Sequence, residues 1–253
     1  MNLNDPNVSL LERAAEQLGD TLLGQLVFVG GAVAGLLISD PAMPDIRPTQ
    51  DVDVICQVIS RADYHQLGMQ LRQRGFQEDN RPGAPLCRWY IEDLILDLMP
   101  TQGNILGFSN RWYPLALETG QLQGLPSGRS IRIVTAPIFI ATKLEAFRGR
   151  GNGNYLFSHD LEDLMAVIDG RSSLIEECRL SPLELQIDLA AQFQDLLNTS
   201  AFLEALPAFL SPDQASQQRL PHLLETLQAI TALAKSQQTT RGIVKTKILL
   251  DNK

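Results

Sequence analysis

Two aspartates two residues apart, Asp51-Val-Asp53, stand in the apolar run Val52 to Cys56. On a strand, alternate side chains share a face, so both carboxylates project together while Val52 and Val54 turn to the other side. Two adjacent carboxylates repel each other. Such a pair suits a divalent cation, because Mg²⁺ prefers carboxylate oxygens and shares its shell with substrate phosphates. Upstream, the run Leu26 to Val29 ends in Gly30-Gly31 and leads into small residues of helical type. A strand that turns at such a pair into a helix offers bare backbone N–H groups and a positive dipole end to an anion. The same residues also fit a tight turn followed by a strand with two solvated acids. Found together, with Arg47 and Thr49 leading into the acids, they favour a phosphate-handling site.

Gly30-Gly31 followed by Asp51-Val-Asp53 resembles the signature of the polymerase-beta-like nucleotidyltransferase superfamily: a glycine turn, a helix, and an acid-x-acid pair on the next strand. The family carries a third carboxylate on a later strand, which Ile95-Leu-Asp97-Leu-Met99 matches. The nineteen residues between Gly31 and Asp51 exceed the family's usual gap, and Pro41, Pro44 and Pro48 point to an inserted loop. Further on, Thr142-Lys143-Leu-Glu-Ala-Phe-Arg148 and Ser158-His-Asp160-Leu-Glu-Asp163-Leu164 resemble two motifs of the AbiEii/AbiGii branch, many of whose members are toxins of toxin–antitoxin pairs. The resemblance covers residues 26 to 170, and a later basic motif of that branch is not evident.

The resemblance implies an α+β fold with a nucleotidyltransferase-type mixed sheet followed by an all-helical C-terminal subdomain. It implies transfer of a nucleoside monophosphate from a nucleoside triphosphate to an acceptor, which could be tRNA or another RNA, with release of pyrophosphate. Asp51, Asp53 and Asp97 would hold two Mg²⁺ ions, and Asp97 would also serve as general base. Gly30, Gly31, Thr49 and Lys143 would contact the nucleotide, and Asp160 would act near the catalytic centre. An antitoxin protein would be the partner. A small-molecule (aminoglycoside-type) nucleotidyltransferase and a catalytically silent nucleotide-binding regulator are the alternatives. Read without the resemblance, Lys143, Asp160 and Asp163 are equally solvated residues on helix faces, Asp160 gaining from the helix dipole.

The elements that must position these residues follow from periodicity. Leu10, Leu11, Ala14, Ala15 and Leu18 make an amphipathic helix over Ser9–Leu18 that Gly19 ends. Ser60 caps a helix running to Arg74, with Gly75 as its stop. Cys87–Ile91 and Leu94–Met99 read as strands around Glu92-Asp93, a hairpin that carries Asp97 towards Asp51 and Asp53. Residues 101–110 read as loop, and Arg111-Trp112-Tyr113 opens a short helix whose arginine and rings either bind a base or anchor the loop. Residues 120–135 form a hairpin turning at Gly128. From Pro137 the chain is helical, interrupted by a flexible basic loop over Arg148–Asn154, with Ser158 capping the next helix. Residues 1–135 would then be the catalytic domain, 136–240 the helical subdomain, and 241–253 a basic tail or a closing helix.

Composition sets outer limits. The 253 residues, 44% hydrophobic and 20% charged, are ordinary for a globular protein with a sizeable core. A net charge of −8 provides no overall basic field for nucleic acid, so a polynucleotide needs a local patch. Cys56, Cys87 and Cys178 are odd in number and widely spaced, which argues for three reduced core thiols. His65, His159 and His222 do not group in sequence. With no signal-peptide pattern and no span-length apolar run, the expected location is cytoplasmic, away from the membrane.

Overall fold

The computed structural model describes residues 5–44, 46–151 and 153–233. Its first helix, α1 (Pro6–Leu23), starts earlier and ends later than its apolar stripe suggests. Asp5 caps it by accepting from the Asn7 amide, and Pro6 occupies a first-turn position where no N–H is required. Gly19 does leave helical geometry, at φ 67°, but the chain resumes helical turns to Leu23. The kink lets the Arg74 guanidinium reach the Glu16 and Gln17 carbonyls.

Strand β1 (Leu26–Val29) is wholly buried. After Gly30 come a 3₁₀ turn, Gly31–Val33, and one α-turn, α2 (Ala34–Leu37), in place of a full helix. Strand β2 (Asp51–Cys56) and helix α3 (Arg61–Gln73), capped by Ser60, follow. Two residues of β3 (Gln77–Glu78), then β4 (Arg88–Ile91) and β5 (Leu94–Pro100), extend the sheet. The expected loop contains a helical turn, α4 (Gly103–Leu106), closed by Gly107 at φ 84°, ahead of α5 (Tyr113–Thr119). The hairpin β6 (Gln121–Gly124) and β7 (Ser130–Ile133) completes the strands.

The seven strands form one mixed sheet in the order β3-β4-β5-β2-β1-β7-β6. β2 is antiparallel to β1 and parallel to β5, in a register that sets Asp53 opposite Asp97. The fold is therefore α+β, with the acidic residues on central strands. Val52, Val54, Leu96 and Leu98, which alternate with those acids, are completely buried. Burial of side chains this size stabilises by roughly 1.5–3 kcal/mol each, which holds the register and so the acids' face.

From Ala136 every described element is helical: α6 (Ala136–Arg150), α7 (His159–Gly170), α8 (Leu174–Leu180), α9 (Leu183–Leu197), α10 (Ser200–Ala205), α11 (Gln214–Gln217) and α12 (Leu220–Thr231). Helix α6 runs through Arg148 to Arg150, past the point where a flexible loop was expected. Helix α7 packs on both α6 and α2, so the helices rest directly against the glycine turn. One apolar cluster runs from Val27 and Phe28 in the sheet to Leu164 and Phe193 in the helices. All three cysteines are buried and free. Among the described residues no helix is long and apolar enough to cross a membrane. The basic segment 241–253 lies outside the described residues.

Arg219 fastens the inserted loop to the helices. Its Nε donates to Asp169 Oδ2 at 2.7 Å and its Nη2 to Asp40 Oδ2 at 2.8 Å. Asp169 is buried, and its side chain is 1% exposed. Arg219→Ala leaves that carboxylate without a counter-charge, so a urea melt should show a loss of about 3–5 kcal/mol. The double variant with Asp169→Asn should recover part of it.

Candidate functional site

The floor of the site is acidic. Asp51 and Asp53 leave β2 on the same side as Asp97 of the parallel neighbour β5. Burial, followed by the charge of Asp51, pushes the Asp53 carboxyl from its ordinary 3.8 up to about 7. Asp97 adds to that rise, while Lys143 and Arg150 oppose it. Asp51 is steadied by Thr49, whose hydroxyl donates to Oδ1 at 2.9 Å. The Thr49 amide in turn donates to Asn7 Oδ1 at 2.9 Å, and Asn7 Nδ2 donates to the Arg47 carbonyl at 3.1 Å. Thus the buried Asn7 of α1 fixes the approach to the acids, a role with no signal in the sequence.

Arg88, which belongs to no motif of the sequence, completes the floor. It faces Asp97 across the β4–β5 hairpin. Its Nε donates to Asp97 Oδ1 at 2.9 Å and its Nη2 to Oδ2 at 2.7 Å, a two-pronged pair, while Nη2 also reaches Asp51 Oδ2 at 3.0 Å. The signal was the hairpin itself, because residues 88 and 97 are equidistant from Glu92-Asp93. Among the described residues no three histidine, cysteine or acidic side chains are arranged to hold a metal ion as they stand. One guanidinium spans two of the three expected ligands, Asp51 and Asp97. In chemistry the set fits Mg²⁺: all-oxygen donors, with Asp53 short of positive charge. In arrangement Asp51 and Asp53 are the better pair, since they share one face of β2 and Arg88 takes one oxygen of Asp51 but both of Asp97.

The glycine turn and the floor are built against each other. Gly30 has φ 71°, and a Cβ there would lie 1.8 Å from Asp53 Oδ2. Only glycine lets the end of β1 pass this carboxylate. A Cβ on Gly31 would stand 3.0 Å from Asp163 Oδ2, which joins the turn to α7.

The helical wall supplies paired charges. Lys143 is not a solvated helix lysine: it is buried, with Nζ donating to Asp163 Oδ2 at 2.6 Å and to Asp160 Oδ1 at 3.4 Å. Asp160 and Asp163 are likewise buried, so solvated roles on a polar face are excluded for both. Arg150 grips Asp160 through two hydrogen bonds, at 2.9 and 2.7 Å. Burial works to raise the Asp160 pKa, but the Arg150 hydrogen bond and the nearby charges of Lys143 and Arg150 outweigh it and hold the group below its usual value. Arg47, from the inserted loop, reaches Asp163 Oδ1 at 3.5 Å. Arg148 pairs instead with Asp195 on the outside. Arg111 pairs with Glu145 and Asp188 while Trp112 is buried, so this pair anchors its loop to the helices.

All eight residues expected at the site, Gly30, Gly31, Thr49, Asp51, Asp53, Asp97, Lys143 and Asp160, line one open cleft of about 950 Å³. Arg47, Arg88 and Arg150 line it too, as do Phe108, Tyr113 and Phe157. Four acids and four strong bases therefore face one space. Each base is already paired with at least one carboxylate.

No family model matches the chain, and no curated protein matches it. Among solved structures it is similar to JHP933 from Helicobacter pylori, at 16% identity over 94% of this chain and 98% of that one, with a TM-score of 0.46. It is also similar to an H. pylori protein described as a "putative nucleotidyltransferase", at 15% identity over 92% and 96% of the two chains, with a TM-score of 0.44. Both likenesses are distant, and neither gives a role to any residue of the cleft.

Two measurements probe the floor. Because the Asp53 pKa is raised on folding, from 3.8 to about 7, the folded state keeps a proton through that window that the unfolded chain has released. Its stabilising contribution is complete below the lower value and is lost as pH rises through the upper one. Denaturant melts in chelator should show stability falling over this range by on the order of 2–4 kcal/mol, and Asp53→Asn should flatten the profile. Arg88→Ala strips Asp97 of both hydrogen bonds that Arg88 donates to it. A loss of roughly 1.5–3 kcal/mol in the same buffer is expected.

Proposed function

We propose that this chain is a Mg²⁺-dependent nucleotidyltransferase that moves a nucleoside monophosphate from a nucleoside triphosphate to an acceptor hydroxyl. The observation that carries the reading is the shared cleft. A glycine turn, three strand carboxylates and a lysine from the helical wall, separated by more than a hundred residues in sequence, face the same space. Asp51 and Asp53 are the residues that would hold the ion, with Asp97 joining them when Arg88 lets go. Bound magnesium supplies positive charge to the phosphates and makes the acceptor hydroxyl more acidic.

The chain's own groups do the rest. Backbone N–H groups of Gly30 and Gly31 hold phosphate oxygens, and Thr49 orients Asp51 through its hydroxyl. Once Arg88 has released it, Asp97 would present a carboxylate oxygen that can accept the proton of the acceptor hydroxyl. The acceptor oxygen then bonds to the α-phosphorus as the bond to the bridging oxygen breaks, and pyrophosphate leaves. Lys143 would turn from Asp163 to the departing pyrophosphate, with Asp160, held by Arg150, as its remaining carboxylate neighbour. An RNA acceptor, a toxin role with an antitoxin protein as partner, and a cytoplasmic location extend the reading through the AbiEii-type resemblance, whose Lys143 and Asp160 both fall on the cleft.

One observation favours a second reading. Every cation in the cleft is matched by a carboxylate, an arrangement that also suits a silent nucleotide-binding regulator. Transfer separates the two. With Mg²⁺, labelled triphosphate and total RNA, the wild-type chain should transfer label, while Asp51→Asn and Asp53→Asn should lose at least a hundredfold yet remain folded. Nucleotide binding in calorimetry with no transfer to RNA or to small aminoglycosides would establish the regulator instead. Lys143→Ala should weaken triphosphate binding, and because it also uncovers Asp163, stability will fall whatever its role in binding.

A further inference from the structure

The chain has nine phenylalanines, two tryptophans and four tyrosines. All but two of these fifteen rings are buried or partly buried. The exceptions are Phe157, 76% exposed, and Phe108, 41% exposed, and both line the cleft. They come from separate loops. Phe108 follows Gly107, the left-handed residue that ends α4, and Phe157 precedes the Ser158 cap of α7. Hydrogen bonds tie down both loops: the Phe157 amide donates to Asn154 Oδ1 at 3.2 Å, and beside Phe108 the Gly107 amide donates to the Gly103 carbonyl at 2.9 Å and Ser109 Oγ to the Thr101 carbonyl at 3.1 Å. Leu156, 51% exposed, widens the apolar surface beside Phe157.

Resting on the nucleotidyltransferase reading, we infer that Phe108 and Phe157 are stacking platforms for unpaired bases of a single-stranded RNA acceptor. Two features of the cleft select that ligand class. Its cations are already matched by Asp51, Asp97, Asp160 and Asp163, and the chain carries −8 overall, so a polyanionic duplex finds little free positive charge. Attraction must then come from ring faces, and every unpaired base has one. A polycationic aminoglycoside would need several free carboxylates, and of the four aspartates lining the cleft Asp51, Asp97 and Asp160 are engaged with arginine or lysine, which leaves Asp53 alone. At about 950 Å³ the space lies at the upper end of the roughly 300–1,000 Å³ usual for small-ligand pockets, which leaves room for a donor nucleotide and an acceptor end together.

The test uses the full chain with a fluorescein-labelled single-stranded RNA hexamer, a blunt duplex of the same sequence, and a fluorescent aminoglycoside, all read by anisotropy. The single strand should bind at least tenfold more tightly than the duplex, with a shallow dependence on salt because few phosphates are contacted. Phe157→Ala and Phe108→Ala should each weaken it by about tenfold, while Phe157→Trp keeps it. Both positions are exposed, so the variants should fold, as circular dichroism will show. Single-strand affinity that is absent in the wild type, equal to that for duplex, or unaltered in both alanine variants would overturn the inference, as would tighter binding of the aminoglycoside. Calorimetry with magnesium tripolyphosphate keeps the parent reading separate: its affinity should be unmoved by the phenylalanine variants, and its absence in the wild type would count against the nucleotidyltransferase alone.

Discussion

Three carboxylates gathered on one face of a sheet have to be compensated, and much of this structure answers that requirement. Asp51, Asp53 and Asp97 are brought together by the β2–β5 register, which the buried Val52, Val54, Leu96 and Leu98 enforce from the other side. The cost of that arrangement is repulsion at close range in a partly dehydrated cleft. Arg88 relieves it at Asp97 and Asp51. At Asp53 burial, followed by the charge of Asp51, outweighs the more distant Lys143 and Arg150, and its pKa is raised.

The same rule orders the helical wall. Lys143, Arg150 and Arg47 meet Asp160 and Asp163 in an alternating chain of charges between α6, α7 and the inserted loop. Buried pairs of this kind contribute little net stability against an apolar alternative, but removing one member is costly. Their effect is to fix geometry. Helix α7 is held to α6 by the pairs and to α2 by packing, so the wall and the glycine turn share one frame.

The glycine turn is equally constrained. Asp53 can stand where it does because Gly30 has no side chain, and Asp163 can approach because Gly31 has none. The motif that suggested phosphate binding is thus also a steric condition for the acid cluster. Its helix is shorter than the pattern implied, a 3₁₀ turn and a single α-turn, so the dipole at its start is correspondingly small.

What the sequence determined by itself was local. Period-two alternation put Asp51 and Asp53 on one face, Ser60 and Ser158 marked helix starts, and apolar stripes marked the helices that follow Ala136. Local signals also mislead: Gly19 has the signature of a helix end but only kinks α1, and the glycine and charge of Arg148–Arg150 have the signature of a loop although α6 continues through them. Tertiary structure decided which charges meet. That Arg88 spans Asp97 and Asp51, that Asn7 holds Thr49 from forty-two residues away, and that Lys143 is buried between two aspartates all depend on pairings between distant segments. Such pairings are set by how whole apolar faces pack. A charged residue has the same local sequence signature whether it ends in water or against a partner.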